Sequence, residues 1–183
     1  CKVRCSHTLA PRAHCLFRLL RISHLEVPMR KAVLNHATPD PRPALDTWLD
    51  LERIASAELS SEDSTHPFEN AVRGRDKGGW RAASPGPQVI RLRFDEPRPL
   101  RRIRLEISEP GERSQAFCLS AIDAASQRRL IARQQWNFSP GGSTLEVEDF
   151  SVNLLEIAAL ELEIDPGRHD RQAIATLQSF AVA

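Results

Sequence analysis

No stretch of this chain approaches the roughly 18 apolar residues that a membrane-crossing helix needs. The nearest, Cys15–Leu20, is short and is broken by Arg18. The continuous apolar region and small-residue cleavage site of a secretory signal are also missing. Catalytic signatures are absent: there is no G-x-S-x-G elbow, no H-E-x-x-H pair, no phosphate-cradling glycine loop and no dinucleotide fingerprint. After residue 45 the only histidines are His66 and His169, each in a loop with proline or glycine nearby. These absences predict a protein that is not an enzyme.

Charge is scarce where nucleic-acid binding would need it. Residues 1–28 hold Lys2, Arg4, Arg12, Arg18 and Arg21 against Glu26 alone, a local charge of +4, which leaves 20 basic and 23 acidic residues, net −3, for the rest. Counterion release from phosphates requires a concentrated positive face, which that balance does not supply.

Glycine does not occur before Gly74, methionine occurs once, at Met29, and Cys1, Cys5 and Cys15 precede the only other cysteine, Cys118. Residues 1–45 are therefore read as an extension outside the functional unit, with residues 1–28 either unstructured or lying upstream of an initiator at Met29. An Arg-rich, acid-poor N-terminus also resembles an organellar transit peptide. Cys1, Cys5, His7, His14 and Cys15 are of the right type for zinc, but their spacing matches no compact zinc unit. Ala37–Pro43 reads as a proline-rich linker, and residues 46–183 as the folded domain. Cys118, alone in an apolar strand, reads as a buried reduced thiol. Cysteine usage and the lack of a signal predict a cytoplasmic location.

After the linker the apolar period is two. In Gln88–Phe94, Ile90, Leu92 and Phe94 alternate with Arg91 and Arg93. In Arg101–Ser108, Ile103, Leu105 and Ile107 alternate with Arg102, Arg104 and Glu106. In Ala158–Ile164, Leu160, Leu162 and Ile164 alternate with Glu161 and Glu163. Such alternation describes antiparallel strands with one face in a core. Further strands are expected at Ser56–Ser60, Gln115–Ile122, Arg129–Phe138, Ser143–Asp149 and Ala173–Val182. Turns fall at Pro97/Pro99, Glu109-Pro110-Gly111, Pro140-Gly141-Gly142 and Pro166-Gly167. The fold class is all-β, an antiparallel sandwich of about eight strands. One short helix is expected at Pro67–Arg73, with Gly74 as its stop. Thr47–Arg53 reads as strand or helical turn, with Trp48, Leu51 and Ile54 packing on the sandwich.

The order of these features resembles the discoidin family, also called the coagulation factor type C domain, of the galactose-binding-like superfamily. Ala57–Ser61 is similar to its first strand. Asn70-Ala71-Val72-Arg73-Gly74 is similar to its N-A-x-D-G turn, with Arg73 in place of the acid. Gly79-Trp80 resembles its loop tryptophan, and Gln88–Phe94 its Q-W-I-x-V-D-L strand. The likeness covers Ala57–Ile107; beyond Ser108 only the strand rhythm fits. The family's terminal cysteine pair is absent. The resemblance implies a jelly-roll sandwich whose loops at one end bind sugars, lipid headgroups or protein surfaces. It leaves a structural calcium open and implies no other cofactor.

Three groups are candidate sites. Glu69, Asn70, Arg73, Trp80 and Arg81 combine an indole with carboxylate, amide and guanidinium, which suits a sugar; alternatively Asn70 and Trp80 are structural. Arg133, Gln135 and Asn137 share one face of a strand, opposite Gln134, Trp136 and Phe138, and form either a polar reading face or an ordinary exposed one. Arg113 and Gln115, at the start of an earlier strand, could join either face. The acidic residues Glu146, Glu148, Asp149, Glu156, Glu161 and Glu163 are either a calcium site or, more simply, a solvated surface. The reading that follows is a non-catalytic module binding a carbohydrate or glycan through loops at one end. The alternative is a protein-interaction or scaffold domain of the same fold, with nicked-DNA binding further behind.

Overall fold

Alternating side chains place one set of residues in a core and the other in solvent, and the strands of this protein follow that pattern. A computed structural model describes residues 47–167, 170 and 172–183. All of them fall in one compact unit, Pro41–Ala183. The expectations for residues 1–45, including the zinc reading of Cys1–Cys15, lie outside the described residues, as does His169.

Helical turn α1 (Leu51–Ile54) leads into β1 (Ala55–Leu59) and helix α2 (Phe68–Arg73). After a 3-10 turn at Arg75–Lys77 come β2 (Trp80–Arg81), β3 (Gln88–Ser108), β4 (Arg113–Asp123) and β5 (Arg128–Phe138). The chain ends with β6 (Leu145–Asp165), β7 (Thr176–Leu177) and β8 (Ser179–Val182). The main sheet runs β1-β3-β6-β4-β5, β8 adds to β3, and β2 pairs with β7. All pairings are antiparallel. The result is an antiparallel β-sandwich.

Two strand pairs expected to be separate are in fact one long pair. Gln88–Phe94 and Arg101–Ser108 form the single β3, and the strands expected at Ser143–Asp149 and Ala158–Ile164 are joined in β6, which begins at Leu145. The prolines expected to make a turn, Pro97 and Pro99, lie instead in a region of register shifts between Arg93 and Arg102. Proline donates no ladder hydrogen bond, and bulges bend the strand that carries them. On β6 the matching bend has Glu156 at φ 53 and leaves Leu155 70% exposed. One half of β3 therefore lies between β1 and β6, and the other between β8 and β6. A single bent pair thus supplies strands to both layers.

Between the layers Ile90, Leu92, Ile103, Leu105, Leu119, Leu160, Leu162 and Phe180 are each 2% exposed or less. Helix α2 closes one side with Phe68 edge-on to Phe180, ring centroids 6.3 Å apart. Its start is capped by Glu62, whose Oε2 accepts the Phe68 N–H at 2.7 Å. Pro67 precedes the first turn and Gly74, at φ 111, ends the last.

The outward carboxylates are not a plain solvated surface. Glu161 is 3% exposed and takes hydrogen bonds from Arg91 and Arg128. Glu58 bridges Arg91 and Arg93, and Glu163 pairs with Arg128. Asp149 is held by Arg102 at 2.7 and 2.5 Å, and Glu148 accepts the Trp136 Nε1–H at 3.0 Å. These carboxylates are taken up by arginines and an indole N–H, with Arg91 shared by Glu58 and Glu161 and Arg128 shared by Glu161 and Glu163. Among the described residues no three His, Cys, Asp or Glu side chains converge as a metal site, so the acidic run does not assemble the oxygen cluster that calcium needs.

The Arg102 hydrogen bond holds the Asp149 carboxyl below its ordinary range, helped by the charges of Arg102 and Arg104. A depressed folded-state value contributes stability above the unfolded value and loses it as pH falls through the folded one. The thermal midpoint of the wild type should thus begin to fall below about pH 4. Asp149→Asn should flatten that fall, and melting curves across this range test the sign. An equally steep acid limb in the variant would remove Asp149 from the account.

Candidate functional site

The loops at one end of the sandwich are tied together through a buried amide. Gln88, 3% exposed, donates from Nε2 to the carbonyls of Ser84 at 3.0 Å and Gly86 at 3.2 Å. Its Oε1 accepts the hydroxyls of Ser60 at 2.6 Å and Ser61 at 2.7 Å. Backbone bonds complete the brace: Asp63 N to Arg81 O, Arg81 N to His66 O, Ala82 N to Ala175 O and Gly86 N to Ala173 O. The segments 60–67, 81–87 and 173–176 are thereby held as one surface. A buried amide with every group bonded resists rearrangement.

Arg113 begins β4 beneath this surface. Its Nη1 donates to Ile174 O at 2.7 Å, its Nη2 reaches Gln115 Oε1 and Thr176 Oγ1 at 3.4 and 3.3 Å, and it pairs with Glu109. Nε is buried without a protein partner. Burial pushes the guanidinium's pKa down, partly offset by the charges of Glu109 and Asp170; an arginine nevertheless stays charged.

Around Arg113 opens a cavity of about 490 Å³, large enough for a small ligand. Glu112, Ser114 and Asn137 border it on the strand side, Pro166, Gly167 and Asp170 on the loop side, with Phe138 at its base. Asn137 Oδ1 accepts Ser114 Oγ at 2.7 Å and Gln135 Nε2 at 3.2 Å, which leaves its NH2 to donate outward. Asp170 accepts the Gln172 N–H through Oδ1 at 2.8 Å, an Asx turn that presents the carboxylate. The cavity offers donors and acceptors side by side without an exposed aromatic ring.

Of the residues singled out in the sequence, Arg113 and Asn137 share this cavity. Arg81 is exposed and near enough for its charge to act on both Arg113 and Asp63. The others do not join them. Trp80 is 1% exposed and belongs to the core, so its ring has no face open to a sugar. Gln115 is fully buried, bonded to Thr176 O. Arg73 turns to Glu52 in a two-bond pair at 2.9 and 2.5 Å, away from the loop end. Glu69 lies with it along the α1 side, and the half-buried Asn70 bonds through its backbone to Pro67 O. Arg133 and Gln135 are exposed on the outer face of β5, where Arg133 approaches the Cys118 thiol at 3.8 Å. Glu112, Ser114 and Asp170 were not singled out. They sit in or beside turns, where no periodicity indicates which way a side chain points.

No family model matches the chain, and no curated protein matches it in sequence. Solved structures do match it in shape. A module named CpGH89CBM32-5 from Clostridium perfringens, in complex with GalNAc-beta-1,3-galactose, superposes with a TM-score of 0.56 at 15% identity, over 74% of this chain and 99% of that one. The family 32 carbohydrate-binding module of C. perfringens NanJ, in complex with galactose, gives 0.54 at 17% identity, over 74% and 97%. The CBM32 of AlyQ, in complex with 4,5-unsaturated mannuronic acid, gives 0.54 at 14%, over 75% and 98%. The chain has the discoidin, galactose-binding-like fold of these modules.

Proposed function

We propose that this chain is a non-catalytic carbohydrate-binding module that takes a sugar at the loop end of the sandwich. The observation that carries the reading is Arg113, anchored by a carboxylate, a carbonyl, an amide and a hydroxyl in an open cavity beside Asn137 and Asp170. Sugar hydroxyls both donate and accept. Asp170 and Glu112 supply acceptors, while Asn137 and Arg113 supply donors. Modules of the same fold that hold sugars in their solved structures support the assignment.

Among the described residues of this end, His66 is not set as a catalytic relay. Thr65 Oγ1 and Asp63 both address Nδ1 of His66, at 2.9 and 3.8 Å. A relay needs a nucleophile on one ring nitrogen and an orienting carboxylate on the other.

Asp170→Ala should weaken binding about tenfold or more, since a hydrogen bond to a charged group contributes about 1.5–3 kcal/mol. Asp170 is exposed and its side-chain bond from the Gln172 N–H is local, so the fold should persist. Calorimetric titration with galactose, N-acetylgalactosamine and a uronic acid measures the effect. Equal affinity in Asp170→Ala and Asn137→Ala, or no binding of any sugar by the wild type, rejects the reading.

A further inference from the structure

The chain's three tryptophans differ sharply in exposure: Trp80 is 1% and Trp136 6% exposed, whereas Trp48 is 38% exposed. Trp48 is not adrift. Leu49 N donates to Val182 O at 2.8 Å, which holds the segment against the edge of β8. The Arg102 guanidinium lies 5.0 Å from the Trp48 ring centroid and is itself locked by the two bonds it donates to Asp149. An exposed indole fixed in this way is preorganised, and preorganisation lowers the entropic cost of binding.

Trp48 borders a second cavity, of about 460 Å³, on the outward face of β3 and β8. Arg104, Ser179 and Ala181 form the sheet side, and Arg73 and Gly74 at the end of α2 form the rim. The hollow exists because Ser179 and Ala181 are small while their neighbours are arginine and tryptophan. Glu106 lies within it, its carboxylate 4% exposed and bonded by Arg104 Nε at 2.8 Å. Charges around the hollow balance: Arg73 pairs with Glu52, Arg102 with Asp149, and Arg104 with Glu106 and Asp149. Of the combination sought around Trp80 in the sequence, the indole, the guanidinium and the carboxylate, without the amide, come together here at Trp48.

We propose a second carbohydrate-contact site on this sheet face, taking a neutral pyranose whose C–H face stacks on the Trp48 indole. Ring hydroxyls meet the Arg73 and Arg104 guanidinia and the Ser179 hydroxyl. Neutrality follows from the balanced charges, since a sugar carboxylate would have to displace Glu52, Glu106 or Asp149 from its arginine. The proposal rests on the carbohydrate reading but not on the loop-end cavity.

Acrylamide quenching of intrinsic fluorescence in the full chain tests it, because Trp48 is the exposed indole. Methyl galactoside and methyl glucoside are the neutral probes and glucuronate the charged one. A neutral pyranoside should reduce quenching about twofold or more at saturation, as stacking on an indole covers the ring face. Protection should persist in Asp170→Ala and vanish in Ala181→Leu, which fills the floor and leaves Trp48 in place. Calorimetry on the same samples reports binding as a whole. Sugar binding with unchanged quenching overturns this site and leaves the loop-end reading standing. Protection lost in Asp170→Ala, or retained in Ala181→Leu, also overturns it, and stronger protection by glucuronate overturns its neutral class. Absence of all sugar binding overturns both sites together.

Discussion

Trp80→Ala is expected to lower the unfolding free energy by about 3–5 kcal/mol, the range for deleting a large aromatic from a packed interior. Trp80 sits in β2, paired with Leu177 of β7 and 1% exposed, within a core that includes Phe68, Ile90, Leu177 and Phe180. Removing the indole leaves a void too enclosed to collapse fully. Trp80→Phe should cost much less, about 1–2 kcal/mol, because Nε1 has no protein partner and only part of the ring volume is lost. Urea unfolding of the two variants measures the difference. A Trp80→Ala protein as stable as the wild type but unable to bind sugar would restore Trp80 as a binding platform.

The residue before it carries the second large effect. Gly79 has φ 69, and a Cβ there would lie 2.5 Å from Leu177 O and 2.8 Å from Gln178 Cα. Both are backbone atoms, so no side-chain movement relieves the clash, and β2 would have to part from β7. The left-handed conformation alone costs a non-glycine residue about 1–2 kcal/mol. Gly79→Ala should therefore cost more than about 3 kcal/mol, adding the loss of close packing to the backbone penalty. Gly78→Ala is the control: φ is 85 and nothing lies within 4 Å of its added Cβ, so only the conformational cost remains. Equal midpoints for the two variants in urea would show that β2 and β7 do not approach as closely as this. A selective loss in Gly79→Ala would locate the intolerance in the β2–β7 contact.

Much of the sandwich was legible in the sequence because its strands are half-buried. Ile90, Leu92 and Phe94 are buried while Val89 and Arg93 are exposed, as alternation requires. Trp136 and Phe138 point into the core, and Arg133, Gln135 and Asn137 point out. Helix α2 was legible from Pro67 and Gly74. The two-residue strand β2 was not, because so short a segment carries no period, and the single strand expected at Ala173–Val182 is divided into β7 and β8. Prolines in a sequence look alike whether they end a strand or bend one. Pro97 and Pro99 therefore concealed that β3 continues through them.

The candidate site divides along the same line. Arg113 and Asn137 were identifiable as polar groups at strand ends, but Glu112, Ser114 and Asp170 were not, since their meeting depends on how the loop after β6 lies over the start of β4. Sequence alone determined the all-β class and the inward or outward direction of most strand residues, because both follow from local alternation and apolar burial. Only the tertiary structure decided which tryptophan faces solvent. Trp80 is covered because β7, far along the chain, pairs with its strand, whereas Trp48 borders a cavity whose β8 residues, Ser179 and Ala181, are small. Exposure is set by what packs across a side chain, and contacts between distant segments are not written in the period of either one.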